Sequence, residues 1–86
     1  MHGVRIQLFG AGCAACEKMK GHVQAAITEL RLPCEMEVVT RIADMIEMGV
    51  TQTPTLLVNG KVVSAGRVLD VESIKRTLAA AAASER

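Results

Sequence analysis

The sequence predicts an α/β domain of order β-α-β-α-β-β-α, a mixed four-stranded sheet with helices on its faces. Three observations carry that prediction. Short alternating or β-branched apolar runs are interleaved with stretches in which apolar residues recur at helical spacing, the pattern of βαβ units. Asn59-Gly60 separates Pro54-Thr55-Leu56-Leu57-Val58 from Lys61-Val62-Val63-Ser64; both central residues of a type I′ turn need φ > 0, so this pair marks a hairpin. A crossover between consecutive parallel strands is right-handed, which sets the first two strands parallel, while the hairpin sets the last two antiparallel.

The first strand covers residues 3–9, where Val4, Ile6 and Leu8 alternate with Arg5 and Gln7. Gly10-Ala11-Gly12 interrupts it. From Cys13 to about Leu30, Met19, Val23, Ala26, Ile27 and Leu30 form one stripe of a helix, and Pro33 closes that segment. Met36, Val38 and Val39 mark a second strand. Ile42, Met45 and Ile46 mark a short helix, with Gly49 as its C′ residue. After the hairpin, Asp70 is the expected N-cap of the last helix, with Leu69 and Ile74 placed for a hydrophobic staple. Val71, Ile74, Leu78 and Ala81 supply its apolar face, and Ala79 to Ala83 prolong it until Ser84-Glu85-Arg86 frays.

Composition narrows the classes. Eighty-six residues are expected to make one domain, 1–86; a chain of this length buries about 60–65% of its unfolded surface. Half of the residues are hydrophobic, and Phe9 is the one aromatic. A formal net charge of +1 with 22% charged residues gives no electrostatic reason to expect a nucleic acid or an anionic membrane as partner. The sequence holds no apolar run of the ~18–20 residues a membrane span needs, and its N-terminus lacks signal-peptide features. Three cysteines, an odd number, argue against a disulfide-stapled secreted scaffold and for a reducing cytoplasm, where a cysteine pair is more often catalytic or metal-binding.

The chemistry concentrates in Cys13-Ala14-Ala15-Cys16, at the passage from the first strand to the first helix. Thiols at i and i+3 can close a disulfide within one turn and exchange it with another protein's. The first faces unpaired backbone N–H groups and the positive end of the helix dipole, which favour thiolate, the only form that attacks a disulfide. Other chemistry-bearing residues read as ordinary. Cys34 reads as a small buried hydrophobe rather than a third exchange thiol. His22 points ~120° away from Cys16 around the helix and reads as solvated. Lys20 lies within ~40° of Cys16 but a turn further on, where a solvated lysine is the simpler reading. Met19, Met36, Met45 and Met48 read as core filler, without Met-x-x-Met spacing.

These motifs together resemble the thioredoxin superfamily, in particular its smallest, glutaredoxin-sized members. The resemblance rests on Cys13-Ala14-Ala15-Cys16, Val50-Thr51-Gln52-Thr53-Pro54-Thr55, Asn59-Gly60 and Gly66, and spans nearly the whole chain. It implies a thioredoxin-like fold and a thiol–disulfide oxidoreductase that reduces protein disulfides. Cys13 would attack and Cys16 resolve, with the Cys13–Cys16 disulfide carrying two electrons and no bound cofactor or metal. It implies that Pro54 is a cis-proline opposite the cysteines and that the Thr53 backbone pairs with an extended substrate chain. Gly10-Ala11-Gly12, Thr53-Pro54 and Ala65-Gly66 would form a shallow apolar rim beneath that chain. Reducing equivalents would come from a thioredoxin-reductase-type flavoprotein, and the protein would act as a monomer on disulfide-containing proteins.

The sequence departs from thioredoxins proper in having Gly12 where they usually carry Trp, Ala14-Ala15 between the cysteines, and no acid in residues 3–9. It departs from glutaredoxins in lacking a basic residue ahead of Cys13 and in having Ala65-Gly66 for Gly-Gly. Two alternatives remain at this point: a glutathione-dependent glutaredoxin, and a soft-metal (copper) chaperone. Heavy-metal-associated domains also place Cys-x-x-Cys after a first strand, and two thiolates suit Cu(I). Those domains run β-α-β-β-α-β, however, and this chain is expected to end in a helix.

Overall fold

A computed structural model describes residues 3–10 and 12–84. The elements follow the expected order: β1 (Val4–Phe9), α1 (Ala14–Leu30), β2 (Cys34–Val39), α2 (Ile42–Glu47), β3 (Thr55–Val58), β4 (Lys61–Ala65) and α3 (Val71–Ser84). They form one sheet in the order β2-β1-β3-β4, with β1 parallel to β2 and antiparallel to β3, and β3 antiparallel to β4. The architecture is the mixed α/β arrangement read from the sequence.

Strand alternation divides the core between the two sheet faces. Val4, Ile6 and Leu8 of β1 point to one side with Leu56 and Val58 of β3, where Met19, Val23 and Ala26 of α1 and Ile74 and Leu78 of α3 meet them. Phe9 and Leu57 point to the other side, packing with Met45 of α2 and, at the margin, Val39 and Val50. The first cluster is the larger because two long helices cover it; the second lies under a helix of six residues.

Local signals placed the boundaries. Arg31, at φ 55°, closes α1, and its N–H donates to the Ile27 carbonyl. The helix therefore ends three residues ahead of β2, and Pro33 follows its end. Asp70 caps α3 through a 2.8 Å hydrogen bond from the Ser73 N–H; this bond and the Ser73 hydroxyl hold the Asp70 carboxyl below its ordinary range. Leu69 and Ile74 both join the larger cluster, as a staple requires. In the hairpin, Asn59 and Gly60 have φ 52° and 82°, and the Asn59 Oδ1 accepts the Arg5 N–H at 2.9 Å. The pairing of β3 with β4 slips between Leu56 and Leu57. Leu57 then opposes Val62 and Leu56 opposes Ser64, so Val63 is the extra residue of a bulge.

Two expectations are met with finer detail, for Cys13 and α2, and two need correction, for Met48 and Ser84. Cys13 stands at the opening of α1 as expected, as its N-cap, one residue before the first helical residue Ala14. The expected short helix forms as α2; of its three apolar residues Met45 is buried, whereas Ile42 and Ile46 are 72% and 69% exposed. Fewer than two turns can present one residue to the sheet, and Met45 takes that place. Met48, just after the helix, is exposed rather than core filler. Ser84 belongs to α3, while Glu85 and Arg86 lie outside the described residues.

Candidate functional site

Cys13 occupies the N-cap of α1 with extended backbone (φ −118°, ψ 154°). That geometry turns its side chain back over the first helical turn, where the Cys16 N–H donates to Cys13 Sγ at 3.1 Å. The usual N-cap acceptor is an oxygen; here a sulfur takes its place. Cys13 and Cys16 form a disulfide with a Cα–Cα separation of 5.2 Å, well inside the range such a bond spans. The two sulfurs differ in access: Cys13 is half-buried, and Cys16 is 5% exposed.

The parallel β1–β2 register places this disulfide at the end of the sheet where β1 finishes. Pro54 enters β3 at the same end, after a cis Thr53–Pro54 peptide bond; Pro54 is buried and Thr53 exposed. Thr55 pairs with Ala65 across the β3–β4 ladder. The Gly66 N–H donates to the Pro54 carbonyl at 2.9 Å, which brings Ala65-Gly66 beside Thr53-Pro54. Gly66 has φ +77°, and the Gln52 side chain packs against the space a Cβ would fill there. Gln52 is held in turn by its backbone, whose carbonyl accepts the Thr55 hydroxyl.

Of the residues expected at the rim, Gly12, Thr53, Ala65 and Gly66 are exposed. Gly12 has φ +67° with open space around it, so it is the residue that lets the chain turn into the helix. Ala11 lies outside the described residues. Gly10 is not a rim residue: it is buried, beneath Cys16 and next to Pro54. Gln52 is a contact of the rim that the sequence reading passed over, because only the fold brings it onto Gly66. On the α2 side of the sheet, a groove of ≈ 250 Å³ lined by Met48, Val50, Leu57 and Val62 opens beside Gln52 and Ala65.

The remaining candidates separate cleanly. Cys34 opposes Val4 at the far end of β1, about five residues or roughly 17 Å along the strand from the end near Cys13. It packs half-buried against the larger core cluster, and burial pushes its thiol up. Cys34 is thus a packing residue away from the disulfide. His22 is not a solvated helix residue: it is half-buried, with Nδ1 2.8 Å from the Leu69 carbonyl. A carbonyl can only accept, so Nδ1 carries the proton. The Leu69 N–H points at Met19 Sδ, 3.4 Å away. Together these contacts pin the segment between Gly66 and α3 onto α1. Among the described residues no group of three or more His, Cys, Asp or Glu side chains is placed to hold a metal ion.

The model of the Thioredoxin domain matches residues 4–79, most of the chain and every element that builds the disulfide site. The chain belongs to the thioredoxin family. A thioredoxin of Methanothermobacter thermautotrophicus (strain Delta H) is 35% identical over 75 residues, covering 87% of this chain and 97% of that protein. A thioredoxin of Methanocaldococcus jannaschii is 33% identical over 75 residues, covering 87% and 86%. Among solved structures, thioredoxin-2 of the malaria parasite superposes with a TM-score of 0.72 at 14% identity, covering 91% of this chain and 82% of its own; that likeness is one of fold.

Family membership and the paired cysteines make this a protein dithiol–disulfide oxidoreductase, acting on disulfide-containing proteins. The copper-chaperone and glutaredoxin alternatives find no support. The described elements run β-α-β-α-β-β-α, where a heavy-metal-associated domain runs β-α-β-β-α-β, and two thioredoxins are among the chain's relatives.

Proposed function

We propose that the protein reduces protein disulfides with Cys13 as the attacking thiol and Cys16 as the resolving one. The observation that carries this order is the N-cap: Cys13 Sγ is the sulfur that receives a backbone N–H and the more exposed of the two. Once the pair is reduced, the same N–H and the helix dipole favour negative charge on Cys13. Cys13 thiolate attacks one substrate sulfur and displaces the other as thiolate, leaving a mixed disulfide. Cys16 thiolate then attacks Cys13 Sγ, forming the internal disulfide and releasing the second substrate thiolate. Two electrons and two protons pass to the substrate, with no cofactor or metal. The substrate chain lies over Gly12, Thr53-Pro54 and Ala65-Gly66, which are small or backbone-presenting and impose little side-chain selection. Alkylation of the reduced protein with iodoacetamide across pH, with sites located by mass spectrometry, tests the order. Cys13 is expected to label first, at lower pH; labelling of Cys16 ahead of Cys13 at neutral pH reverses the assignment.

The electrons come, in this reading, from a flavoprotein of the thioredoxin-reductase type rather than from glutathione, with the protein working as a monomer in a reducing cytoplasm. Glutathione carries two carboxylates, and charge-assisted contacts are the strong ones. Among the described residues the rim offers small residues, with the exposed Arg67 just beyond Gly66. Insulin reduction driven by dithiothreitol or a cognate flavoprotein is therefore expected, with weak turnover of a glutathione mixed disulfide. Robust glutathione-dependent turnover that falls on Arg67→Ala contradicts this.

A further inference from the structure

We infer that Gly10 is a positioning residue for the redox reaction: its missing side chain is the space that lets Cys16 reach Cys13. A Cβ built on Gly10 stands 2.6 Å from Cys16 Sγ and 3.3 Å from Cys16 Cβ, with Pro54 Cα at 3.7 Å on the other side. Real Cβ atoms do not approach a heavy atom that closely, so something must move. The backbone of Gly10 has little freedom to do so. Its N–H donates to the Val39 carbonyl at 3.0 Å, and the preceding Phe9 is paired with both Val39 and Thr55. Pro54 is buried behind it. The Cys16 sulfur is the group that can give way.

The consequence falls unequally on the two redox states. In the disulfide, Cys16 Sγ is bonded to Cys13 Sγ and cannot leave its place above Gly10. In the dithiol, the bond between the sulfurs is gone and Cys16 can rotate about χ1. A methyl at position 10 therefore opposes the disulfide more than the dithiol, and it opposes the step in which Cys16 attacks Cys13 Sγ and expels the substrate thiolate. Glycine at this position holds the couple toward disulfide formation and thereby makes the protein a stronger reductant. Gly10 acts through Cys16 and touches no substrate.

The inference rests on the redox reading of Cys13 and Cys16, and its test separates the two. The full chain and its Gly10→Ala variant are equilibrated in graded ratios of reduced to oxidised dithiothreitol, and the disulfide fraction is read by acid quench and alkylation. The variant is expected to favour the dithiol about tenfold more than the wild type, about 30 mV toward a more oxidising potential. In single-turnover reduction of a disulfide peptide it is expected to accumulate the Cys13 mixed disulfide. Gly21→Ala is the control: Gly21 lies in α1 with nothing within 4 Å of its Cβ position, and this variant keeps the wild-type potential. A wild type that does not equilibrate with dithiothreitol at all removes the redox reading itself. A Gly10→Ala variant that equilibrates at the wild-type potential and resolves at the wild-type rate overturns the inference alone.

Should Gly10→Ala not fold when oxidised, the same substitution is measured in a Cys16→Ala background, which removes the sulfur that meets the new methyl. Recovery of folding there, seen by circular dichroism and urea denaturation, assigns the clash to the sulfur and supports the inference. Failure to fold there as well places the requirement for glycine in the backbone or Pro54 and overturns it.

Discussion

Replacing Cys13 with serine is expected to abolish disulfide reduction, and replacing Cys16 with serine is expected to trap the enzyme on its substrate. The two substitutions remove the same atom but act at different steps. Without Cys13 Sγ, no thiolate sits where the Cys16 N–H and the α1 terminus converge. Cys16 remains, but it is 5% exposed and cannot present itself to a protein disulfide. Turnover in an insulin-precipitation assay should fall by about a thousandfold or more, in line with the loss of a nucleophile that acts as a unit with its partner. Without Cys16, the first attack proceeds and the mixed disulfide persists, because no second thiol lies one turn away to displace it. Non-reducing electrophoresis should then show a stable adduct with a disulfide-bearing protein, absent from Cys13→Ser. The opposite pattern, an adduct on Cys13→Ser and none on Cys16→Ser, exchanges the roles proposed for the two cysteines. Cys34→Ser should leave both behaviours unchanged, since Cys34 lies at the other end of β1.

How far the sequence alone reaches can be judged from particular residues. Signals that act between chain neighbours were legible. Alternation in Val4, Ile6 and Leu8, the positive-φ pair Asn59-Gly60, the Asp70 cap and the placement of Cys13 at a helix opening each depend on a few consecutive residues, and the structure realises all of them. The functional cysteines belong to this class, which is why the redox chemistry could be read early. Contacts between distant segments were not legible. His22 reads as solvated from its place on α1, and only the fold brings the Leu69 carbonyl, 47 residues away, to its ring. The distance of Cys34 from the disulfide follows from strand register, which a list of cysteines does not contain. Gly10 looked like one of three loop glycines or alanines at a rim; the approach of Cys16 Sγ makes it the floor. For α2, periodicity marks a helix over Ile42, Met45 and Ile46, but it cannot say that so short a helix would bury only Met45.

Phe9→Ala is expected to be the most destabilising single substitution outside the cysteines, at about 3–5 kcal/mol. Phe9 is 1% exposed and is the largest member of the smaller core cluster, where, among the described residues, Met45 and Leu57 are the others buried. Two long helices and residues of all four strands share the opposite core, so a void there has many neighbours that can close on it. Beneath α2 there are few, and a six-residue helix has little stability of its own to keep it in place once its support is gone. A chain of 86 residues has a total stability of about 4–13 kcal/mol, so the loss is a large share of it. The damage should also reach the site, because Phe9 precedes Gly10, whose N–H bonds to Val39, and Val39 packs against Phe9. Urea denaturation of the oxidised proteins measures the loss, and Ile46→Ala provides the contrast. Ile46 is just as apolar and lies on the same side of the sheet, yet it is 69% exposed, so its truncation should change stability by no more than about 0.5 kcal/mol. If Ile46→Ala proved as costly as Phe9→Ala, α2 would have to be packed through its outer face, and Met45 would no longer be the residue that anchors it.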